Sequence, residues 1–200
     1  MSRADRVRQD AAEAPPPVAI QVDDRITLRL AGVDEAPAIF ELVERNRQHI
    51  SPWMSWFAQT QSVEDVAEFR RKSIQSYQDR SALTLQIYEE DRVIGGIGFY
   101  GLDDPHGSAE LGYWLDASTQ GRGVMTRCAQ ALLDHAFAEY GLHRVYLTAD
   151  AANRRSIAVA ERLGMRREGE MKQDVHMPGI GYRDSVLYAI LAEEWKAARP

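Results

Sequence analysis

The sequence predicts a mixed α/β domain on a mostly antiparallel sheet, with one β-α-β unit near its middle. Three observations carry this. Residues 108–116, SAELGYWLD, alternate strictly: Ala109, Leu111, Tyr113 and Leu115 share one face, and Glu110, Gly112 and Trp114 the other. Met125, Cys128, Ala129, Leu132, Leu133, Ala136 and Phe137 recur at helical spacing, so an amphipathic helix follows that strand. Two short turns, Glu90-Asp91 and Pro178-Gly179, each separate two strand-like runs.

The elements follow in order. Residues 1–20 are charged and alanine-rich and contain Pro15-Pro16-Pro17, so they read as a disordered leader to a single domain over 21–200. ITLRL alternates as a first strand. Asp34 is placed to cap a helix through EAPAIFELVERNRQ, where Ile39, Leu42 and Val43 fall at helical spacing. HISPWMSWFAQ reads as a loop carrying Trp53, Trp56 and Phe57. Ser62 caps VEDVAEFRRKSIQSY, and with Asp65 it resembles a capping box. ALTLQIYE and RVIGGIGFYG form a hairpin, SAELGYWLD is the next strand, and Gly141 ends the helix after it. RVYLTAD is a strand. Asn153 opens the helix RRSIAVAERL, which Gly164 stops. MRREGEMKQDV and YRDSVLYAIL close the chain as a hairpin, giving the order β-α-α-β-β-β-α-β-α-β-β.

Composition narrows the function. The 200 residues are 44% hydrophobic and 27% charged, an ordinary globular balance with enough chain for a substantial core. A net charge of −6 argues against a nucleic-acid surface; it suits a cationic substrate, or simply keeps the protein soluble. The single cysteine, Cys128, allows no intrachain disulfide and falls on the buried helix face. His49, His106, His135, His143 and His176 show no ligand-pair spacing, so no metal is expected. No apolar run reaches bilayer length and the N-terminus lacks a signal core, so a cytoplasmic protein without membrane contact is expected.

The unusual stretch is Gln120-Gly121-Arg122-Gly123, directly ahead of the central helix. A helix N-terminus presents unpaired N–H groups and the positive end of its dipole, which together attract an anion such as phosphate. Gly121 and Gly123 let an anion approach those amides, and Arg122 adds a cation. The competing reading is a tight turn that needs positive φ. The pattern is neither a P-loop, since G-x-x-x-x-G-K-S/T is missing, nor the dinucleotide fingerprint, since Thr126 stands where a third glycine is wanted.

The blocks AELGYWLDASTQGRGVMTRC, ADAANRRSIAVAERLGM, REGEMK, GYRDSVLYAILAEEW and ERNRQHISPWMSWF, in this order or around it, resemble the Gcn5-related N-acetyltransferase superfamily, and within it the ribosomal-protein-alanine N-acetyltransferase branch. The resemblance spans about residues 25–195. It implies a sheet splayed in the middle and acetyl-CoA as co-substrate. It assigns the pyrophosphate to Gln120, Gly121, Arg122, Gly123, Val124, Met125 and Thr126, mostly through backbone, and the pantetheine arm to the strand edge at Trp114 and Leu115. Asn153 matches the family's asparagine near that arm, and is also a plain helix cap. Ser156 matches the branch's proton donor to the leaving thiolate, or is an ordinary first-turn serine. Many members use a tyrosine at the position of Ala160, which this chain lacks.

An amine acceptor must lose a proton, and a protein N-terminus with a pKa near ~8 loses it more easily than lysine near ~10.4. Glu110 is the first candidate base and Glu168 the second; either can equally be a solvated strand carboxylate. A backbone N–H near Leu115 is placed for the oxyanion. Trp53, Trp56 and Phe57 are candidates for the acceptor wall or for core edge, and Tyr182 and Asp184 for the pocket or for packing in the last hairpin. The leading expectation is an acetyl-CoA-dependent N-acetyltransferase acting on a protein or peptide α-amine, with self-association into a homodimer. The alternatives are a small-molecule amine acetyltransferase and a non-catalytic acyl-CoA sensor.

Overall fold

A computed structural model describes residues 18–198. Among these, eight strands form one sheet in the order β1-β2-β3-β4-β5-β6-β8-β7. The strands are β1 (Ala19–Gln21), β2 (Ile26–Arg29), β3 (Ala82–Glu89), β4 (Arg92–Tyr100), β5 (Ser108–Leu115), β6 (Arg144–Asp150), β7 (Arg166–Met177) and β8 (Gly181–Leu191). The helices are α1 (Ala36–Ile50), α2 (Ser55–Gln59), α3 (Val63–Gln78), α4 (Val124–His135), α5 (Arg154–Arg162) and α6 (Ala192–Ala197). Every pairing is antiparallel except β5 with β6, the junction of the single β-α-β unit.

The expected order is present, with additions. Most of the expected leader lies outside the described residues, but Ala19–Gln21 pair with Thr27–Arg29, so ordered chain begins ahead of the expected boundary. The tryptophan loop contains the short helix α2, and α6 follows the last strand. Asp34 does not cap α1. It sits in a 3-10 turn, Val33–Glu35, and Pro37 opens the helix instead. Ser62 and Asp65 do form the capping box: the Asp65 N–H donates to Ser62 Oγ at 3.2 Å, and the Ser62 N–H to Asp65 Oδ2 at 2.9 Å. The central helix passes into a π turn, Ala136–Tyr140, before ending at Gly141.

The sheet has a covering layer on each face. Cys128, Ala129, Leu132 and Leu133 of α4, with Ala136 of the π turn, are fully buried against Leu85, Ile97, Leu111 and Val145. Burial pushes the Cys128 thiol up to about 12, so it stays an inert core group. On the opposite face α1 sets Ile39 and Leu42 against Tyr88 and Val93. Each buried Leu or Ile contributes roughly 1.5–3 kcal/mol.

One polar clamp ties α1 to the loop after β5. Buried Asp116 accepts from Arg45 Nη2 at 2.8 Å, from Asn46 Nδ2 at 3.3 Å and from the Ser118 N–H at 3.2 Å; Asn46 Oδ1 accepts from the Ala117 N–H at 2.9 Å. Burial opposes ionisation of Asp116, but these donors outweigh it and hold its carboxyl below the usual range. A lowered carboxylate pKa stabilises the fold above the unfolded-state value, and the gain is lost as pH falls through the folded-state value. Asp116→Ala should therefore cost about 2 kcal/mol in urea unfolding at pH 7, less at acid pH. An equal loss at pH 7 and pH 3 would contradict this account of the clamp.

Candidate active site

The site begins with a break in the sheet. β5 pairs with β6 only over Ser108–Glu110 against Arg144–Tyr146, yet β4 follows β5 to Leu115 and β8 follows β6 to Asp150. Beyond Glu110 the two strands therefore part. The Asp116 N–H donates to the Ile94 carbonyl at 2.8 Å, which sets the phase of the ladder. By alternation, the N–H and C=O groups of Tyr113 and Leu115 point away from β4 into the gap. The Leu115 carbonyl accepts from Gln120 Nε2 at 3.1 Å. Buried backbone groups need partners, so the gap suits an extended ligand carrying amides.

Gly121 and Gly123 close the turn from β5 to α4 at φ of +77° and +73°. The turn requires left-handed backbone at both; nothing lies within 4 Å of a Cβ built on Gly121, and one built on Gly123 would lie 3.3 Å from Arg127 Nη1. The Arg127 N–H makes the first intrahelical bond, to the Gly123 carbonyl at 3.1 Å. The N–H groups of Val124, Met125 and Thr126 precede it and have no partner within the helix. This is the geometry an anion needs.

The cation beside the turn is not the expected one. The Arg122 guanidinium turns away and pairs with buried Glu89 at 2.5 Å, outside the cavity. Arg154, Arg155 and Arg162 of α5 line the cavity instead. Arg162 Nε donates to Thr126 Oγ1 at 3.2 Å, and Arg155 Nη1 to Gln120 Oε1 at 2.8 Å. Arg155 and Arg162 are seven apart, so they share a helix face; that spacing was the signal in the sequence. Gln120 Nε2 also lies 3.0 Å from His49 Nε2, bracing the turn against α1.

A continuous cavity of about 1680 Å³ joins the turn to the gap. It exceeds the roughly 300–1,000 Å³ of a drug-sized site and so has room for two reactants. Glu110, Trp114, Leu115, Gln120, Gly121, Gly123, Val124, Met125, Thr126, Asn153 and Ser156 all line it. Half-buried Glu110 shares its strand face with Trp114, which packs against Val43, Ile50 and Phe57 on the α1 side. Burial raises the Glu110 carboxyl above its usual pKa, and a hydrogen bond with the Thr148 side chain opposes this in part. On the opposite face, the Tyr113 hydroxyl lies 3.0 Å from Ser156 Oγ, and Asn153 Oδ1 accepts from the Ser156 N–H at 3.2 Å. A carboxylate and a hydroxyl pair thus flank the gap from opposite sides, with the glycine turn at one end.

Residues 25–166 match the family described as acetyltransferase (GNAT) domain. The chain is 30% identical over 185 residues to the putative ribosomal N-acetyltransferase YdaF of Bacillus subtilis, covering 90% of this chain and 98% of that protein. It is 30% identical over 170 residues to the ribosomal-protein-serine acetyltransferase of Escherichia coli, covering 85% and 94%. A solved structure of RimL, a ribosomal L7/L12 α-N-protein acetyltransferase in complex with coenzyme A, superposes with a TM-score of 0.83 at 30% identity, covering 87% and 98%. The chain belongs to the GNAT acetyltransferase family.

Within this acetyltransferase the remaining predicted site residues divide. Trp53 and Trp56 line the cavity. Phe57 does not; it is fully buried, 5.1 Å from Trp114 between ring centroids. Tyr182 and Asp184 do not reach the cavity either. Tyr182 is 66% exposed and meets the His176 ring edge-on, and Asp184 pairs with Lys172 at 2.9 Å. The hairpin instead supplies Val175 and Met177, which a bulge in β7 between Met171 and Val175 turns toward the cavity. Glu168 also lies outside. Hydrogen bonds from Arg144, at 2.5 Å, and from Arg166 hold its carboxyl down at about 2, far too acidic for a base at neutral pH. Glu168→Gln should leave the rate of acetyl transfer within about twofold of wild type, as for loss of an exposed ion pair. A steady-state assay showing a fall of tenfold or more would return Glu168 to the site.

No group of three or more His, Cys, Asp or Glu among the described residues is placed to hold a metal ion, and no helix there is long and apolar enough to cross a membrane.

Proposed function

We propose that this acetyltransferase moves the acetyl group of acetyl-CoA to the α-amine of a protein N-terminus, with a ribosomal protein as the acceptor class. The observation that carries this reading is the single cavity running from the glycine turn through the β5/β6 gap to Glu110. The first-turn amides of α4, with Arg155 and Arg162 beside them, hold the diphosphate. The free edge of β5 at Tyr113 and Leu115 hydrogen-bonds the amides of the pantetheine arm, which brings the thioester to Glu110 and Ser156.

The chemistry is direct attack. Glu110, directly or through one water, takes the proton of the incoming ammonium. Its raised pKa brings it closer to that of an α-amine near ~8, and a lysine near ~10.4 remains the harder acceptor. A backbone N–H of the open β5 edge beside the thioester donates to the oxyanion of the tetrahedral intermediate. Ser156 donates a hydrogen bond to the departing sulfur. Trp53, Trp56, Val175 and Met177 form the acceptor's wall. That wall is broad and apolar, which suits a chain end passing through it.

The test is a CoA-release screen across peptides with varied N-terminal residues, beside a panel of polyamines, aminoglycosides and amino acids. Peptides acetylated on the α-nitrogen, in preference to the small amines, support the reading. Turnover confined to small amines overturns the acceptor class. Tight acetyl-CoA binding without turnover on any amine overturns catalysis.

A further inference from the structure

The side chain of Tyr113 lines the cavity, and the proposed chemistry uses only its backbone. It comes from β5, on the strand face opposite Glu110, and meets the start of α5 across the gap. Its hydroxyl has two possible acceptors, Ser156 Oγ at 3.0 Å and the Ser156 carbonyl at 3.2 Å. The carbonyl of a first-turn residue already serves the helix, four residues on. Oγ is both nearer and otherwise free to accept. If Tyr113 donates to Oγ, the serine's own proton is left to turn into the cavity. If Tyr113 is absent, that proton can swing to any local acceptor.

We propose that Tyr113 is a positioning residue that fixes Ser156 as the hydrogen-bond donor to the leaving thiolate. This rests on the acetyl-transfer reading above and adds a residue to it. The bond broken is the thioester C–S bond. The electron pair stays on sulfur, and Ser156 Oγ–H stabilises it as a hydrogen bond without giving up its proton. Tyr113 also keeps its proton, since burial pushes its phenol up to about 12. The thiolate is protonated by water on release, and the amine's proton leaves through Glu110. The device takes the place of the hydroxyl missing at Ala160, which is fully buried among apolar side chains.

Titrating the thiol of bound coenzyme A tests this without turnover. Thiolate absorbance in the ultraviolet reports it, and Cys128, the sole cysteine, does not ionise until about 12. Arg154, Arg155 and Arg162 of α5, Asp150 of β6, His49 of α1 and Glu110 of β5 line the same cavity as the pair, and all are retained in every variant. Wild type should bind the thiol with a pKa below that of free coenzyme A titrated alongside. Tyr113→Phe and Ser156→Ala should each raise it by a similar amount, and the double variant no further. In peptide acetylation, Tyr113→Phe should lower kcat about tenfold with KM for acetyl-CoA within about twofold, the loss of one hydrogen bond to developing charge. Thermal unfolding of each variant checks that the fold is kept. An unchanged thiol pKa in Tyr113→Phe overturns the proposal, as does an equal effect of that change with and without Ser156. Should wild type turn over no amine while the thiol still responds as described, the transfer reading fails and the pairing of Tyr113 with Ser156 stands.

Discussion

Gly123→Val is expected to raise the dissociation constant for acetyl-CoA at least about 100-fold, close to 3 kcal/mol. Two effects combine. Gly123 sits at φ +73°, where a β-branched residue costs roughly 1–3 kcal/mol. A Cβ there would also lie 3.3 Å from Arg127 Nη1, the group that holds the Arg122 carbonyl at 3.0 Å. Relief of either strain rotates the Gly123–Val124 peptide and re-aims the first-turn amides of α4. A point charge can tolerate that; a diphosphate gripped by several amides cannot. Gly141→Val is the control. Gly141 also has positive φ, +61°, but lies at the far end of the same helical run, with nothing within 4 Å of its added Cβ. It should lose comparable stability and keep its affinity in calorimetry. If Gly123→Val binds within tenfold of wild type, the amides do not form the cradle.

Glu110→Gln is the second large effect. The rate constant kcat should fall about 100-fold, the usual contribution of a positioned general base, with the affinity for acetyl-CoA unchanged. The carboxyl is raised by burial, so the acid limb of kcat/KM in wild type should lie above the ordinary carboxylate range and vanish in the variant. The sign of the stability change is set by the same shift. A carboxyl whose folded-state pKa is raised stabilises the fold while protonated, and that gain is lost as pH rises through the folded-state value. The neutral amide should therefore leave stability at pH 8 equal to or slightly above wild type. Lower activity together with lower stability would mean a structural role; equal activity would remove Glu110 as the base.

Much of this fold was legible because its signals are local. The strict alternation of β5, the helical spacing of α4 and the capping box at Ser62 and Asp65 each need only a short window of sequence. The glycine turn ahead of α4 was legible for the same reason, since paired glycines at a strand-to-helix turn are a local signal. What needed the third dimension was the direction of long side chains. Arg122 lies within the glycine turn, yet buried Glu89, an end-of-strand carboxylate 33 positions earlier, draws its guanidinium away. Alternation assigned Tyr113 to the core face, correctly, but could not reveal that the sheet opens there and exposes its hydroxyl to α5. Glu168 and Asp184 are acidic residues in the expected strands, and only the strand pairing shows that neighbouring Arg144, Arg166 and Lys172 engage them outside the cavity. Val175 and Met177 reach the cavity beyond a bulge at which Gln173 adopts φ +52°, a conformation that a glutamine does not advertise.

The most direct measurement of the central claim is an amide NMR titration of the full chain with coenzyme A. The N–H signals of Gly121, Gly123, Val124, Met125 and Thr126, and with them those of Tyr113 and Leu115 on the open strand edge, should shift together and saturate at one affinity. Shifts confined to other parts of the chain, with these seven signals unmoved at saturation, would contradict it.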